Sequence, residues 1–154
     1  ESVLAALYLT LSDGMLTSLE YEPAEPERFN RCLPAGEIRS WLEAYFSGQQ
    51  PAQLRTMQIQ GTAFQQKVWA VMLQVPYGET LSYAEVSQAI GSAPRAVGQA
   101  CKRNSLPVVI PCHRIVGKQS IGGYEGAISG RKIDRKQWLI NHENQYGKLK
   151  KPVR

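Results

Sequence analysis

A thiol, an imidazole and a guanidinium stand side by side at Cys112-His113-Arg114. The chemistry open to such a set is nucleophilic, with sulfur attacking once a base has taken its proton. A free cysteine titrates near ~8.5 and is mostly thiol at neutral pH, so it needs a histidine or cationic surroundings. His113, Arg114 and Lys118 supply both. A lone cysteine more often packs in a core as a small apolar side chain. The polar pair that follows Cys112 argues against full apolar burial. Val108–Ile110 and Ile115–Val116 read as buried, strand-like flanks. Pro111, with no N–H and a fixed φ, ends the first run and presents Cys112 at a turn.

The charge distribution says what a nucleophile here would meet. Residues 1–60 hold eight acids and four bases, whereas residues 61–154 hold five acids and fourteen bases. No acid occurs from Val86 to Tyr124, a stretch that contains Arg95, Lys102, Arg103, Arg114 and Lys118. A long acid-free stretch around a nucleophile suits a polyanion such as DNA. Cys32, Cys101 and Cys112 are too few and odd in number for a disulfide framework, which points to a reducing compartment. With His113 and His142 the only histidines, no spacing suits zinc, and no metal is expected. No run is long enough to span a membrane and no signal-peptide pattern opens the chain. The expected location is the cytoplasm, or the nucleus in a eukaryote.

The elements that must position this set follow from local pattern. Val3–Leu11 and Met15–Tyr21 flank Ser12-Asp13-Gly14 and read as a hairpin. Ile38, Trp41, Leu42, Tyr45 and Phe46 recur at helical spacing, are read as core, and are ended by Gly48. Gln49–Gln60 reads as a linker. Thr62 caps a helix running through Val75, and Pro76-Tyr77-Gly78 ends it. Ser82 and Glu85 form a capping box opening a helix over Tyr83–Ile90. After the turn Gly91-Ser92-Ala93, Pro94 starts a basic helix from Arg95 to about Arg103. The pair makes a helix-turn-helix pattern, its second helix kept slim by Ala96, Gly98 and Ala100. Ile121–Gly126 is a glycine-rich loop without a nucleotide-binding fingerprint. Asp134 and Gln137 read as a capping pair opening a helix to about Asn144, and the tail from Lys148 as frayed.

Several of these residues together resemble one family. They are Gly61-Thr62-Ala63-Phe64-Gln65, Val68-Trp69, Val75-Pro76-Tyr77-Gly78, Ser82-Tyr83, Arg95-Ala96-Val97-Gly98, Asn104, Ile110-Pro111-Cys112-His113-Arg114 and Gly123-Tyr124-Glu125-Gly126. In this order they resemble the O6-alkylguanine-DNA alkyltransferases, over about residues 61–143. The resemblance implies an α/β chain in two parts. A ribonuclease-H-like domain would span residues 1–55, and a winged-helix-like, mainly helical DNA-binding domain residues 56–154. It also implies direct reversal of DNA damage, in which the alkyl group of O6-alkylguanine, and of O4-alkylthymine, moves to the protein's own cysteine.

By position in that pattern, Cys112 is the acceptor and His113 the base, acting through a bridging water. Glu143 orients His113, and Asn104 braces the turn. Tyr83 helps rotate the 3′ phosphate and hydrogen-bonds the flipped base, and Arg95 fills the gap left in the stack. Ala96, Gly98, Gln99 and Arg103 face the minor groove of the DNA. The guanine edge meets backbone groups of Cys112 and Ile115, while Pro107, Tyr124 and the Glu125 amide line the alkyl side. Flipping is required because a stacked base cannot reach a buried thiol. The thioether product has no good leaving group, so a single turnover without any cofactor follows. The implied partner is double-stranded DNA carrying the lesion, met by a monomer, with cooperative binding left open. Three features depart from the pattern: a short turn at Gly91–Pro94, a long loop from Tyr124 to Lys136 with Ala127, and no zinc ligands. Two other classes compete. A non-catalytic alkyltransferase-like lesion binder would replace the cysteine, and a Cys-His hydrolase would leave the basic helix unexplained.

Overall fold

The computed structural model describes residues 6–30, 36–124 and 129–150, with the side chains of the last helix described to Tyr146. The expected start of the hairpin at Val3, together with Cys32, Glu125, Gly126, Ala127 and the last four residues, lies outside the described residues. The described chain is mixed α/β, with five α-helices and two small sheets.

Strands β1 (Tyr8–Ser12) and β2 (Met15–Glu20) pair antiparallel, turning at Asp13-Gly14, where both residues have positive φ. The free edge of β2 does not face solvent. Leu16 donates to Thr56 O and accepts from Gln58 N–H, both at 2.9 Å, and forms a parallel bridge with Met57. The segment expected as a linker is therefore tied to the edge of β2 by a single bridge, and Leu54 in it is buried. Its isolated apolar residues carry no period of their own; they are held by non-local pairing.

Helix α1 (Gly36–Phe46) packs Ile38 and Tyr45 into the core. Helix α2 (Ala63–Gln74) opens on the Thr62–Gln65 capping box and ends at Val75 as its C-cap. The Ser82–Glu85 box opens α3 (Tyr83–Ile90), and Gly91, left-handed at φ 69°, closes it. Ala93 then caps α4 (Pro94–Lys102), with Pro94 in its first turn. Strands β3 (Leu81–Ser82) and β4 (Ile115–Val116) pair in parallel.

Helix α5 spans Arg131–Lys150. It begins one turn before the expected Asp134–Gln137 pair, after a left-handed Gly130 whose carbonyl accepts from Asp134 N–H at 3.0 Å. It also continues to Lys150, through the start of the stretch from Lys148 where fraying was expected. Among the described residues no helix is long and apolar enough to cross a membrane, and no group of His, Cys, Asp and Glu could hold a metal.

Candidate active site

The segment before the thiol is a buried turn, not the strand expected for Val108–Ile110. Val108 adopts φ 75°, left-handed, while 1% exposed. That conformation is costly for a β-branched residue and persists only where its surroundings impose it. Here they do. Asn104 receives Leu106 N–H on Oδ1 at 2.9 Å and donates Nδ2 to Ile110 O at 2.8 Å, while Ile110 N–H closes on Leu106 O at 2.8 Å. Pro107 and Pro111 bracket the turn, both buried. Cys112 then opens a single 3₁₀ turn, Cys112–Arg114, that leads into β4.

Cys112 is 5% exposed and His113 wholly buried. Polar neighbours did not keep the thiol near solvent, because those neighbours find their partners inside the protein. His113 Nε2 lies 2.5 Å from Glu143 Oε2, and Glu143 is itself 2% exposed. Arg114 donates Nε to Glu143 Oε1 at 2.7 Å, Nη2 to Oε2 at 3.1 Å and Nη1 to Val75 O at 2.7 Å. The arginine expected to act on the thiol therefore serves the carboxylate. Tyr45 donates its hydroxyl to Oε2 at 2.6 Å, and Gly78 N–H reaches Oε1 at 3.2 Å.

These contacts fix protonation states. Burial works against the Glu143 anion, but the charges and hydrogen bonds of His113 and Arg114 outweigh it and hold the carboxyl well below its usual range. Burial pushes His113 below its ordinary value, against the pull of Glu143, and the Arg114 and Lys136 charges add to that downward push. The ring is therefore neutral at pH 7. An ionised carboxylate only accepts, so the ring proton sits on Nε2 and the lone pair on Nδ1. Nδ1 is buried and has no hydrogen-bond partner among the described residues.

A second buried cation acts in the field of the thiol and of His113. Lys136 is buried and donates Nζ to Ile115 O at 2.6 Å, Gly123 O at 2.8 Å and Tyr83 Oη at 3.5 Å. It was not among the expected site residues; from sequence it marked only the end of the long loop from Tyr124. Burial lowers it to about 8, and negative charge on Cys112 or Cys101 would pull it back up. The Ile115 backbone, expected at the guanine edge, is already engaged, its carbonyl by Lys136 and its N–H by Cys112 O. Tyr83 opens α3 half-buried and donates its hydroxyl to Gly123 O at 3.4 Å. Gly122, at φ 75°, has no room for a Cβ, which would lie 2.7 Å from the Tyr83 ring. Tyr124 is buried and shares a 3.2 Å hydrogen bond with the Tyr21 hydroxyl, just beyond β2.

Helix α4 presents two faces. Val97 and Ala100 are buried, while Arg95, Gln99, Lys102 and Arg103 are exposed along one side. A Cβ at Gly98 would meet nothing within 4 Å, so internal packing does not explain the glycine. The helix is slim toward the outside.

The 6-O-methylguanine DNA methyltransferase DNA-binding domain matches the chain over residues 63–145. Over 110 residues the chain is 46% identical to the constitutive methylated-DNA–protein-cysteine methyltransferase of Bacillus subtilis, covering 70% of this chain and 64% of that one. It is 42% identical over 151 residues to the Mycobacterium tuberculosis methylated-DNA–protein-cysteine methyltransferase, covering 93% and 88% respectively. The crystal structure of M. tuberculosis OGT in complex with DNA aligns with a TM-score of 0.74 at 33% identity, covering 95% of this chain and 91% of that one.

Proposed function

Because the chain belongs to the 6-O-methylguanine DNA methyltransferase family, we propose that it repairs O6-alkylguanine in duplex DNA by taking the alkyl group onto Cys112. The observation that carries this reading is the buried row Cys112, His113, Glu143. A neutral imidazole sits there with its proton committed to a carboxylate and its other nitrogen free to accept. His113 Nδ1 takes the thiol proton, through one bridging water. The Sγ lone pair attacks the alkyl carbon, the C–O6 bond breaks, and its electron pair returns to guanine, which takes up a proton. Glu143 stabilises the imidazolium formed on the way. The resulting thioether offers no good leaving group, so each molecule reacts once.

Exposed Gln99 and Arg103 suit the groove and its phosphates, and the open space beside Gly98 suits close approach of a DNA wall. Arg95 fills the stack as the lesion swings out, Tyr83 hydrogen-bonds the flipped base, and Pro107, Tyr124 and, by the family pattern, the Glu125 amide line the alkyl side. O4-alkylthymine is the second lesion class. The finer architecture is a ribonuclease-H-like domain over residues 1–55 and a winged-helix-like domain over 56–154, the latter supported by the α3–α4 pair beside β3 and β4. The reading is completed by a monomer acting in the cytoplasm, or in a nucleus, a reducing location that suits Cys101 and Cys112 standing outside any disulfide.

The test is intact mass after incubation with a duplex containing one O6-methylguanine. The expected gain is one CH2, mapped to the Cys112 peptide and absent in Cys112→Ala, which still binds the duplex. Tight, lesion-preferring binding without a mass change would move the protein to the non-catalytic class. Residual transfer in Cys112→Ala would overturn the assignment of the nucleophile.

A further inference from the structure

Helix α1 lies far from the thiol in sequence, yet its last turn reaches the carboxylate behind His113. The Tyr45 ring stacks on Trp41 at 5.4 Å and 6°, and meets Phe46 and Tyr77 edge-on at 5.0 Å and 5.5 Å. Trp41 is itself fixed by donating Nε1 to Ala52 O at 2.8 Å, and His142 Nε2 holds the Tyr45 carbonyl at 2.8 Å. With its ring held on these sides, the hydroxyl has one direction. It points at Glu143 Oε2, the oxygen that also receives His113 Nε2 and Arg114 Nη2.

A buried tyrosine hydroxyl usually finds some acceptor, and most serve only to satisfy the group. This one is different in kind because it shares an oxygen with the base. Each donor on a carboxylate oxygen draws charge from it, so Tyr45 and His113 compete for the same negative density. Losing the phenol donor leaves more charge facing the imidazole and a less fixed carboxylate plane.

We propose that Tyr45 is a positioning residue for alkyl transfer: its hydroxyl fixes the Glu143 carboxylate against His113 and moderates the carboxylate's pull on that ring. The inference rests on the roles of Cys112, His113 and Glu143 given above, and it gives the first half of the chain a part in the chemistry. The charged and titratable groups facing this cluster are Arg114, Tyr77 and His113 around Glu143, Lys136 in the field of His113, and His142 against Tyr45.

Tyr45→Phe keeps the stacked ring and removes the donor. The readout is the second-order rate of transfer from free O6-benzylguanine across pH, beside the thermal midpoint and the site of alkylation. The alkyl group should still map to Cys112, the plateau rate should fall several-fold, and the acid limb should move up by about half a unit. It moves up because a less-shared carboxylate holds the proton on His113 to higher pH. A fluorinated tyrosine at the same position is a stronger donor and should move the limb down. Rates lowered by one factor at every pH, with the limb unmoved in both variants, would mean that Tyr45 only packs, and the proposal fails while the reaction stands. Wild-type alkylation at a residue other than Cys112 would sink the reading beneath it instead.

Discussion

Arg114 holds Glu143 by both carboxylate oxygens, with Nε on Oε1 at 2.7 Å and Nη2 on Oε2 at 3.1 Å. The residue two positions after the thiol thus keeps charged the group that orients the base. Arg114→Met should leave a buried carboxyl short of its countercharge and destabilise the protein by about 3 kcal/mol. Transfer should slow by more than tenfold, and Arg114→Lys, lacking the planar fork, should recover only part of it. In the wild type Glu143 has a depressed folded-state pKa. It stabilises the fold above the ordinary glutamate range, and that contribution is lost as pH falls through and below it. Melts between pH 3 and 7 should show the wild-type advantage over Arg114→Met shrinking toward the acid end. An advantage that grows as pH falls would contradict the pairing.

Lys136 gives the opposite slope. Burial penalises its ammonium in the fold, and its pKa is lowered to about 8. From pH 8 to about 10.4, the ordinary lysine value, the unfolded chain binds more protons than the native one, so this group makes stability rise with pH. Lys136→Met removes that term. Over pH 7.5 to 10 the melting temperature of wild type should therefore gain on that of the variant. Transfer by Lys136→Met should also be slower at neutral pH, since Ile115 O and Gly123 O lose their donor. A constant melting difference across this range would show that the lysine titrates normally.

Gly98 separates folding from contact. Alanine at this helical position meets nothing within 4 Å and should stabilise the free protein by about 0.5–1 kcal/mol. Affinity for duplex DNA should nevertheless fall, as the added methyl stands between helix and groove. Fluorescence anisotropy on a duplex, read beside the thermal melt, checks both signs. Unchanged affinity would leave the slim face of α4 without a purpose.

Arg95 is exposed at the first turn of α4, so Arg95→Ala should shift stability by no more than about 0.5 kcal/mol. Repair of O6-methylguanine in a duplex should slow by at least tenfold, and reaction with free O6-benzylguanine much less. Equal losses on both substrates would argue against a role in flipping.

What the sequence makes legible here is what short-range chemistry decides. The Thr62–Gln65 and Ser82–Glu85 boxes, Pro94 in the first turn of α4 and the apolar spacing of α1 each report on neighbours within a few residues. The thiol and its adjacent histidine are legible for the same reason. The partners of Glu143 are not. Tyr45 looks like any core aromatic until its hydroxyl is seen on a carboxylate 98 positions away. Lys136 looks like a helix surface lysine because nothing local says that two carbonyls wait for it. Val108 is apolar in an apolar run, and only the Asn104 brace turns that run into a bend instead of a strand.

The hydrogen bonds that complete the site have a consequence for how a single-use protein is made. Cys112 and His113 leave the ribosome well before Glu143, which sits in the last helix, and Tyr45 waits for both. Contacts of such long sequence separation close late. A nascent or half-folded chain therefore carries a thiol whose base has no orienting carboxylate, and its sulfur is no more activated than that of a free cysteine. Activation of the sulfur and completion of the fold are the same event.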